Sequence, residues 1–106
     1  MLRIYPVCLE LVREVGRLLP VMKAGSAELG NQCERAIISV PLNVAEGTAS
    51  RGKLQQARYH TAAGSAREAL ACLEVAEMLG ITHASGPELR ALFNQVIGTL
   101  VKLATR

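Results

Sequence analysis

The sequence predicts an all-α protein: one domain, residues 1–106, folded as an antiparallel up-and-down four-helix bundle. Leu and Ala occur fifteen times each, against two Tyr, one Phe and no Trp, and this composition favours helices over sheets. Apolar residues recur at intervals of three and four in four successive stretches, the period of an amphipathic helix. The connections between most of the stretches are short, as they are between antiparallel neighbours in a bundle.

The first helix is predicted over 3–20, with apolar positions that include Cys8, Leu11 and Val15. Pro6 suits a first turn, because the missing N–H has no helical partner there. Pro20 should end or kink the helix, and 23–30 should form a turn. The second helix is predicted over 27–46, beginning between Ser26 and Asn31.

The second helix carries apolar residues on two faces. One face contains Cys33, Ala36, Ile37, Val40 and Val44, whereas Ile38 and Leu42 fall on a different side. A helix of this kind is usually buried twice, so Ile38 and Leu42 are predicted to form an oligomer contact. Pro41 should kink the helix near its C-terminal end, and Gly47 should cap it.

The third helix is predicted over 53–79, ending at Gly80, and the fourth over 87–104, beginning at Pro87. In the middle of the third helix, Gly64 and Ser65 are small, and a mid-helix glycine costs about 1 kcal/mol of helix propensity. We therefore expect Gly64 and Ser65, together with Pro41, to serve helix packing.

Residue patterns for catalysis and metal binding are missing from the sequence. His60 and His83 stand apart, and no Cys or His pair has the spacing of a zinc or di-iron site. No nucleophile elbow and no glycine-rich phosphate loop can be placed. The sequence therefore predicts no metal, no cofactor and no enzymatic activity.

The basic residues are unevenly distributed. The formal net charge is +3, which permits an acidic partner without demanding one. Only Glu46 opposes the five cations of 35–67, whereas 70–88 holds three Glu and no base. The cations either bind phosphate or form a solvated surface that keeps the protein soluble. Tyr59 and His60 could stack on bases. The five candidate nucleic-acid-binding residues are Arg35, Arg51, Lys53, Arg58 and Arg67.

Three polar residues, Ser39, Asn43 and Glu46, follow one side of the second helix. They could contact a ligand or nucleic acid. They could instead form a hydrogen-bond network that fixes helix register around Pro41, and the lack of an acid–base partner favours this structural interpretation.

The expected compartment is the cytoplasm. Cys8, Cys33 and Cys72 are odd in number and widely spaced, which argues against a disulfide framework. The longest charge-free runs, 36–45 and 91–101, are shorter than the roughly 18 residues of a membrane span. Charged residues from Glu10 onward interrupt any signal sequence.

Two motifs resemble those of a known family. Residues 37–47 read IISVPLNVAEG and residues 63–68 read AGSARE. These are similar to the S-[IV]-P-x-N-[IV]-A-E-G and A-x-G-S-x-x-E signatures of the four-helix-bundle proteins encoded in intervening sequences of bacterial 23S rRNA genes. The resemblance implies a cytoplasmic ring-like homo-oligomer, with a pentamer favoured. It also implies kinship with the nucleic-acid-binding accessory protein of diversity-generating retroelements.

Two functional hypotheses follow from the residues and the resemblance together. The first is a non-catalytic homo-oligomer that binds RNA or DNA through its basic surface. The alternative is a protein–protein interaction scaffold without a nucleic-acid role, whose basic and acidic ends meet a protein partner. Neither hypothesis involves a membrane.

Overall fold

Five α-helices make up the fold in the computed structural model, which describes residues 2–106. They are α1 (Ile4–Gly16), α2 (Leu19–Gly25), α3 (Ala27–Thr48), α4 (Gly52–Met78) and α5 (Pro87–Ala104). Within the described residues no strand occurs, and the helices form one compact unit of 42 × 25 × 19 Å. The all-α prediction is confirmed, but the helices number five rather than four.

The predicted first helix, 3–20, is divided into α1 and α2. In a continuous helix the ring of Pro20 would clash with the carbonyl four residues earlier, which belongs to Gly16, and α1 ends at that residue. Pro20 instead lies in the first turn of α2. The prediction of a turn over 23–30 is wrong, because only Ser26 separates α2 from α3. Its hydroxyl accepts a hydrogen bond from the Leu29 N–H at 3.2 Å and caps α3.

The hydrophobic core lies between α1, α3, α4 and α5. The antiparallel helices α3 and α4 make the most extensive contact, α4 also packs on α5, and α1 packs on both α3 and α5. The short α2 lies against α3. The largest fully buried side chains are those of Leu11, Met22, Ile37, Leu73, Phe93 and Leu100.

Small residues bring α3 and α4 close together. The buried face of α4 is rich in alanine, including Ala62, Ala66 and Ala69. At Gly47, an added Cβ would lie 2.5 Å from Cε1 of Tyr59. Gly47 is therefore a close-packing residue inside α3, and the prediction that it caps the helix is wrong, because α3 continues to Thr48.

Gly64 does not show the close helix packing that the sequence predicts for it. It is exposed, and a Cβ at this position would meet nothing within 4 Å. Gly64 therefore makes no close helix contact within the chain, which corrects that prediction for this residue. Pro41, by contrast, is buried inside α3, and the helix does not end at the proline.

A left-handed glycine ends α4, as the sequence predicts. Gly80 has φ +74°, and the backbone N–H groups of Gly80 and Ile81 donate to the carbonyls of Glu77 and Ala76 at 3.0 and 2.9 Å. These two bonds define a Schellman motif, which satisfies carbonyls that the helix end leaves free. The loop that follows leads to Pro87, in the first turn of α5.

Candidate nucleic-acid interface

The turn between α3 and α4 presents two free cations. Arg51 and Lys53 are exposed on either side of Gly52, whose φ of +59° suits a residue without a side chain. Among residues 2–106 neither cation forms an ion pair within 4.0 Å. Their charges are therefore available to an anionic ligand.

Arg58 occupies the next part of the same end, but its charge is partly engaged. Its Nη1 lies 3.1 Å from Oε2 of Glu46 on α3, and both side chains are about half exposed. An exposed pair of this kind typically contributes about 0–1 kcal/mol and is screened by salt. Arg58 can therefore exchange Glu46 for a phosphate at little cost.

Two further cations lie at this end that the sequence did not indicate. The side-chain amide of Gln56, in the first part of α4, donates a hydrogen bond to the backbone carbonyl of Arg106. This contact places Arg106, just beyond the C-terminal end of α5, beside the first part of α4. Lys102 precedes Arg106 by about one helical turn. The antiparallel bundle that the sequence predicts puts the end of the last helix beside the start of the helix before it, and this signal could have located Lys102 and Arg106. We call Arg51, Lys53, Arg58, Lys102 and Arg106 the basic end.

Arg35 and Arg67 lie outside the basic end. Both are exposed, and neither forms an ion pair within the described part of the chain. Arg35 precedes Arg51 by sixteen residues, or about 24 Å along a helix. Arg67 follows Lys53 by fourteen residues, or about 21 Å. The five sequence candidates therefore divide into a group of three near the turn and two residues midway along the helices.

Base stacking by Tyr59 is excluded by its burial. Its side chain is 4% exposed and packs against Gly47. The interpretation of Tyr59 as a stacking residue is therefore wrong, whereas His60 is exposed. The chemistry of the basic end is that of guanidinium and ammonium groups, which favours contacts with phosphates over contacts with bases.

The polar motif of the second helix separates into two contacts. Asn43 Nδ2 donates to the Ser39 hydroxyl and to the Ser39 carbonyl, each at 2.9 Å. The Ser39 hydroxyl in turn lies 2.9 Å from that of Ser65 on α4. Glu46 does not join this network and pairs with Arg58 instead. Ser39 and Asn43 thus link the turns around Pro41 to α4, in agreement with the structural interpretation.

Large apolar side chains are exposed on α3 and α4. Ile38 and Leu42 are 46% and 57% exposed, so they do face away from the core as their spacing predicts. Leu54, in the first turn of α4, is exposed near the basic end. Val75, Met78 and the C-cap residue Leu79 are exposed near the other end of the helix. Ile38 and Leu42 are four residues apart and are therefore neighbours on the surface of α3, and an exposed apolar patch is typical of an interaction surface.

The opposite end of the molecule uses its acidic residues internally. Glu77 Oε1 accepts hydrogen bonds from the backbone N–H and the hydroxyl of Ser85, at 2.7 and 2.6 Å. Arg90 lies 3.2 Å from Glu77 and 3.6 Å from Glu74. The hydrogen bonds from Ser85, aided by Arg90, hold the pKa of Glu77 below its ordinary value. These carboxylates fasten the α4–α5 loop.

Groups of three or more potential metal-ligating side chains are not found among residues 2–106. None of the described helices is long and apolar enough to cross a membrane. Burial raises the pKa of the Cys8 thiol to about 11 and that of the Cys33 thiol to about 12. Such thiols are poor nucleophiles at neutral pH, because the thiolate is the reactive form.

Together, the helices and their surface define a small all-α domain with a basic end. The sequence model of the 23S rRNA-intervening sequence proteins matches residues 1–102, and the chain belongs to that family. No curated protein and no solved structure shows significant similarity to the chain.

Proposed function

We propose that this chain is a non-catalytic, homo-oligomeric four-helix-bundle protein that binds nucleic acid through its basic end. The observation that carries the proposal is the pair Arg51 and Lys53, both exposed and unpaired within residues 2–106, with Lys102 and Arg106 nearby. Lys and Arg side chains that neutralise phosphates supply most of the affinity in sequence-independent nucleic-acid binding.

The bundle assignment is supported by the helix contacts. Each of α1, α3, α4 and α5 packs against two of the other three, and α3 runs antiparallel to α4. In this description α2 is an additional turn-like helix between the first two long helices. The up-and-down order follows from the short connections between successive helices.

Self-assembly is supported by the exposed apolar residues of α3. Ile38 and Leu42 would be covered by a second copy, and the family resemblance favours a pentameric ring. A ring repeats the basic end once per subunit, so that a modest charge per chain produces a strong local field. Light scattering at micromolar concentration should give a multiple of the 11.3 kDa chain mass.

Leu42→Asp tests the oligomer contact. A charge on a face that is buried on assembly is costly, so this variant should scatter as a smaller species. Val21→Asp changes another exposed apolar residue, on α2, and serves as the control with an unchanged mass. A wild-type monomer at micromolar concentration would contradict the proposal of self-assembly.

Nucleic-acid binding is tested by titrating nuclease-treated protein against RNA and DNA at about 50 and about 200 mM salt, concentrations between which phosphate contacts weaken strongly. We expect binding to be tight at low salt and to fall steeply as salt rises, with a slope that counts the phosphate contacts per assembly. Absence of binding at low salt would contradict the proposal. Recovery of one defined protein from nuclease-treated extract would then favour an interaction scaffold.

A further inference from the structure

Two of the three cysteines lie on facing turns of adjacent helices. Cys33 is on α3 and Cys72 on α4, and their exposed fractions are 0% and 4%. The Cys33 thiol donates to the backbone carbonyl of Ala69 at 3.9 Å. Ala69 precedes Cys72 by three residues, so both lie on the same face of α4, the face turned toward α3.

The register of the two helices agrees with this placement. Nearly two turns after Cys33, Ser39 meets Ser65 with a hydroxyl separation of 2.9 Å, and Gln32, next to Cys33, reaches Glu68. Between the two helices at this level are the small side chains of Ala36, Ala66 and Ala69, all buried. A disulfide requires Cα atoms about 4.4–6.8 Å apart, and contacts between alanine-lined helices bring backbones unusually close together.

We infer that Cys33 and Cys72 form a disulfide that joins α3 to α4 when the protein encounters a small dialkyl disulfide. The inference is independent of nucleic-acid binding. Cys8 lies on α1, is fully buried, and takes no part in this contact, so it provides a built-in comparison.

The reaction proceeds by two thiol–disulfide exchanges. Cys72, the more exposed of the pair, loses its proton, and its thiolate attacks one sulfur of the small disulfide. The S–S bond of the reagent breaks, and one small thiol leaves with a proton. The Cys33 thiolate then attacks the Cys72 sulfur of the mixed disulfide, and the second small thiol leaves. The two cysteines are oxidised, and the reagent is reduced to two thiols.

Burial determines the rate of this reaction rather than its product. It raises the pKa of both thiols, and for Cys33 the neighbouring Cys72 adds to the rise. Both sulfurs are therefore protonated at neutral pH, and because the thiolate is the attacking species, the rate should increase with pH.

The test uses 2-hydroxyethyl disulfide on the folded wild-type protein at mildly alkaline pH, followed by alkylation in denaturant and intact mass measurement without reductant. We expect the loss of two hydrogen atoms from the chain and a single alkylated thiol, that of Cys8. Tryptic digestion should give peptides 24–35 and 68–90 linked to each other, with Cys8 alkylated in peptide 4–13. The bond closes a long loop, so the melting temperature should rise by about 4 °C or more.

Three variants complete the test. Cys8→Ser should lose two hydrogen atoms like the wild type, whereas Cys33→Ser and Cys72→Ser should not. Should either of the latter fold poorly, the linked peptides of the wild type decide the question alone. A wild-type chain that remains fully reduced, that stops at the mixed disulfide, or that links Cys8 would overturn the inference.

Discussion

At the α3–α4 turn, Arg51 and Lys53 face solvent without an ion pair among residues 2–106, whereas at the opposite end Glu77 accepts two hydrogen bonds from Ser85 and pairs with Arg90. The two ends have charges of opposite sign in the sequence, but they differ more in what the charges contact. At the acidic end the charges hold a loop in place. At the basic end Arg51 and Lys53 remain available, so the position of these unpaired cations side by side at the α3–α4 turn identifies the candidate interface.

The largest effect on stability should come from the close packing that supports the basic end. Gly47→Ala places a Cβ 2.5 Å from the Tyr59 ring, so either the ring or α3 must shift. Overpacking of this kind costs about 1–3 kcal/mol, against a gain in helix propensity of up to about 1 kcal/mol. The free energy of unfolding, measured in urea, should fall.

Gly64→Ala is the matched control for that substitution. It makes the same chemical change in the partner helix, where a Cβ meets nothing within 4 Å. We expect the free energy of unfolding to rise by about 0.5–1 kcal/mol, from helix propensity alone. Equal effects of the two substitutions would contradict the packing assigned to Gly47.

The acidic end should lose stability when the loop carboxylate is neutralised. Glu77→Gln removes the charge that receives the Ser85 and Arg90 hydrogen bonds. Hydrogen bonds to charged groups contribute about 1.5–3 kcal/mol each, and the amide oxygen of the new side chain retains part of this stabilisation. We expect a loss of about 1–2 kcal/mol. Glu74→Gln, at the more exposed and longer ion pair, should cost less than about 0.5 kcal/mol.

Acid should remove the difference in stability between the wild type and the Glu77→Gln variant. The pKa of Glu77 is lower in the folded state than its ordinary 4.5. The ionised carboxylate therefore stabilises the fold above that pH, and this stabilisation is lost as pH falls through the folded-state pKa. Melting curves of the two proteins should converge below about pH 4.5. A gap that stays constant with pH would contradict the role given to the ionised form.

Lys102 and Arg106 test the extent of the basic end. Replacing both with Gln should weaken nucleic-acid binding severalfold and reduce the salt slope by about 2 per bound chain, if both contact phosphate. Affinity equal to that of wild type would restrict the interface to the turn itself. Circular dichroism checks that α5 remains helical in the variant.

The smallest effect should come from releasing Arg58. Glu46→Gln removes its partner at 3.1 Å, so the guanidinium no longer exchanges one anion for another. Affinity at low salt should increase about two- to threefold, which corresponds to an exposed pair worth about 0.5 kcal/mol. A decrease in affinity would show that the pair positions Arg58 instead of competing for it.

Local chemistry predicted much of the fold. Gly80 ends a helix and Pro87 begins one, because backbone conformation and a missing N–H act within a few residues. The sequence predicts an interruption at Pro20, but a proline that ends one helix can equally start the next, so the local pattern does not predict α2. Gly47 shows the limit: its role depends on the ring of Tyr59, which is distant in sequence and adjacent only after α3 and α4 pack.

The candidate site was predicted in part for a similar reason. Arg51 is the N-cap residue of α4 and Lys53 lies in the first turn of that helix, and a connection between two helices lies at the surface. Whether a cation already has an ion-pair partner depends on the residues of the facing helix. Arg58 on α4, for example, pairs with Glu46 on α3. The position of Arg106 depends on its contact with Gln56, fifty residues away, and no local pattern carries that information.

The most direct test of the basic end compares two double variants in the same salt-dependent titration. Arg51→Gln with Lys53→Gln removes two cations from the turn, whereas Arg13→Gln with Arg17→Gln removes two exposed cations from the C-terminal end of α1, where Arg17 is the C-cap residue. We predict that the first weakens binding at least about tenfold at low salt and flattens the slope by about 2 per bound chain, while the second leaves both nearly unchanged. Equal losses in the two variants would contradict a localised interface, because net charge alone would then determine binding.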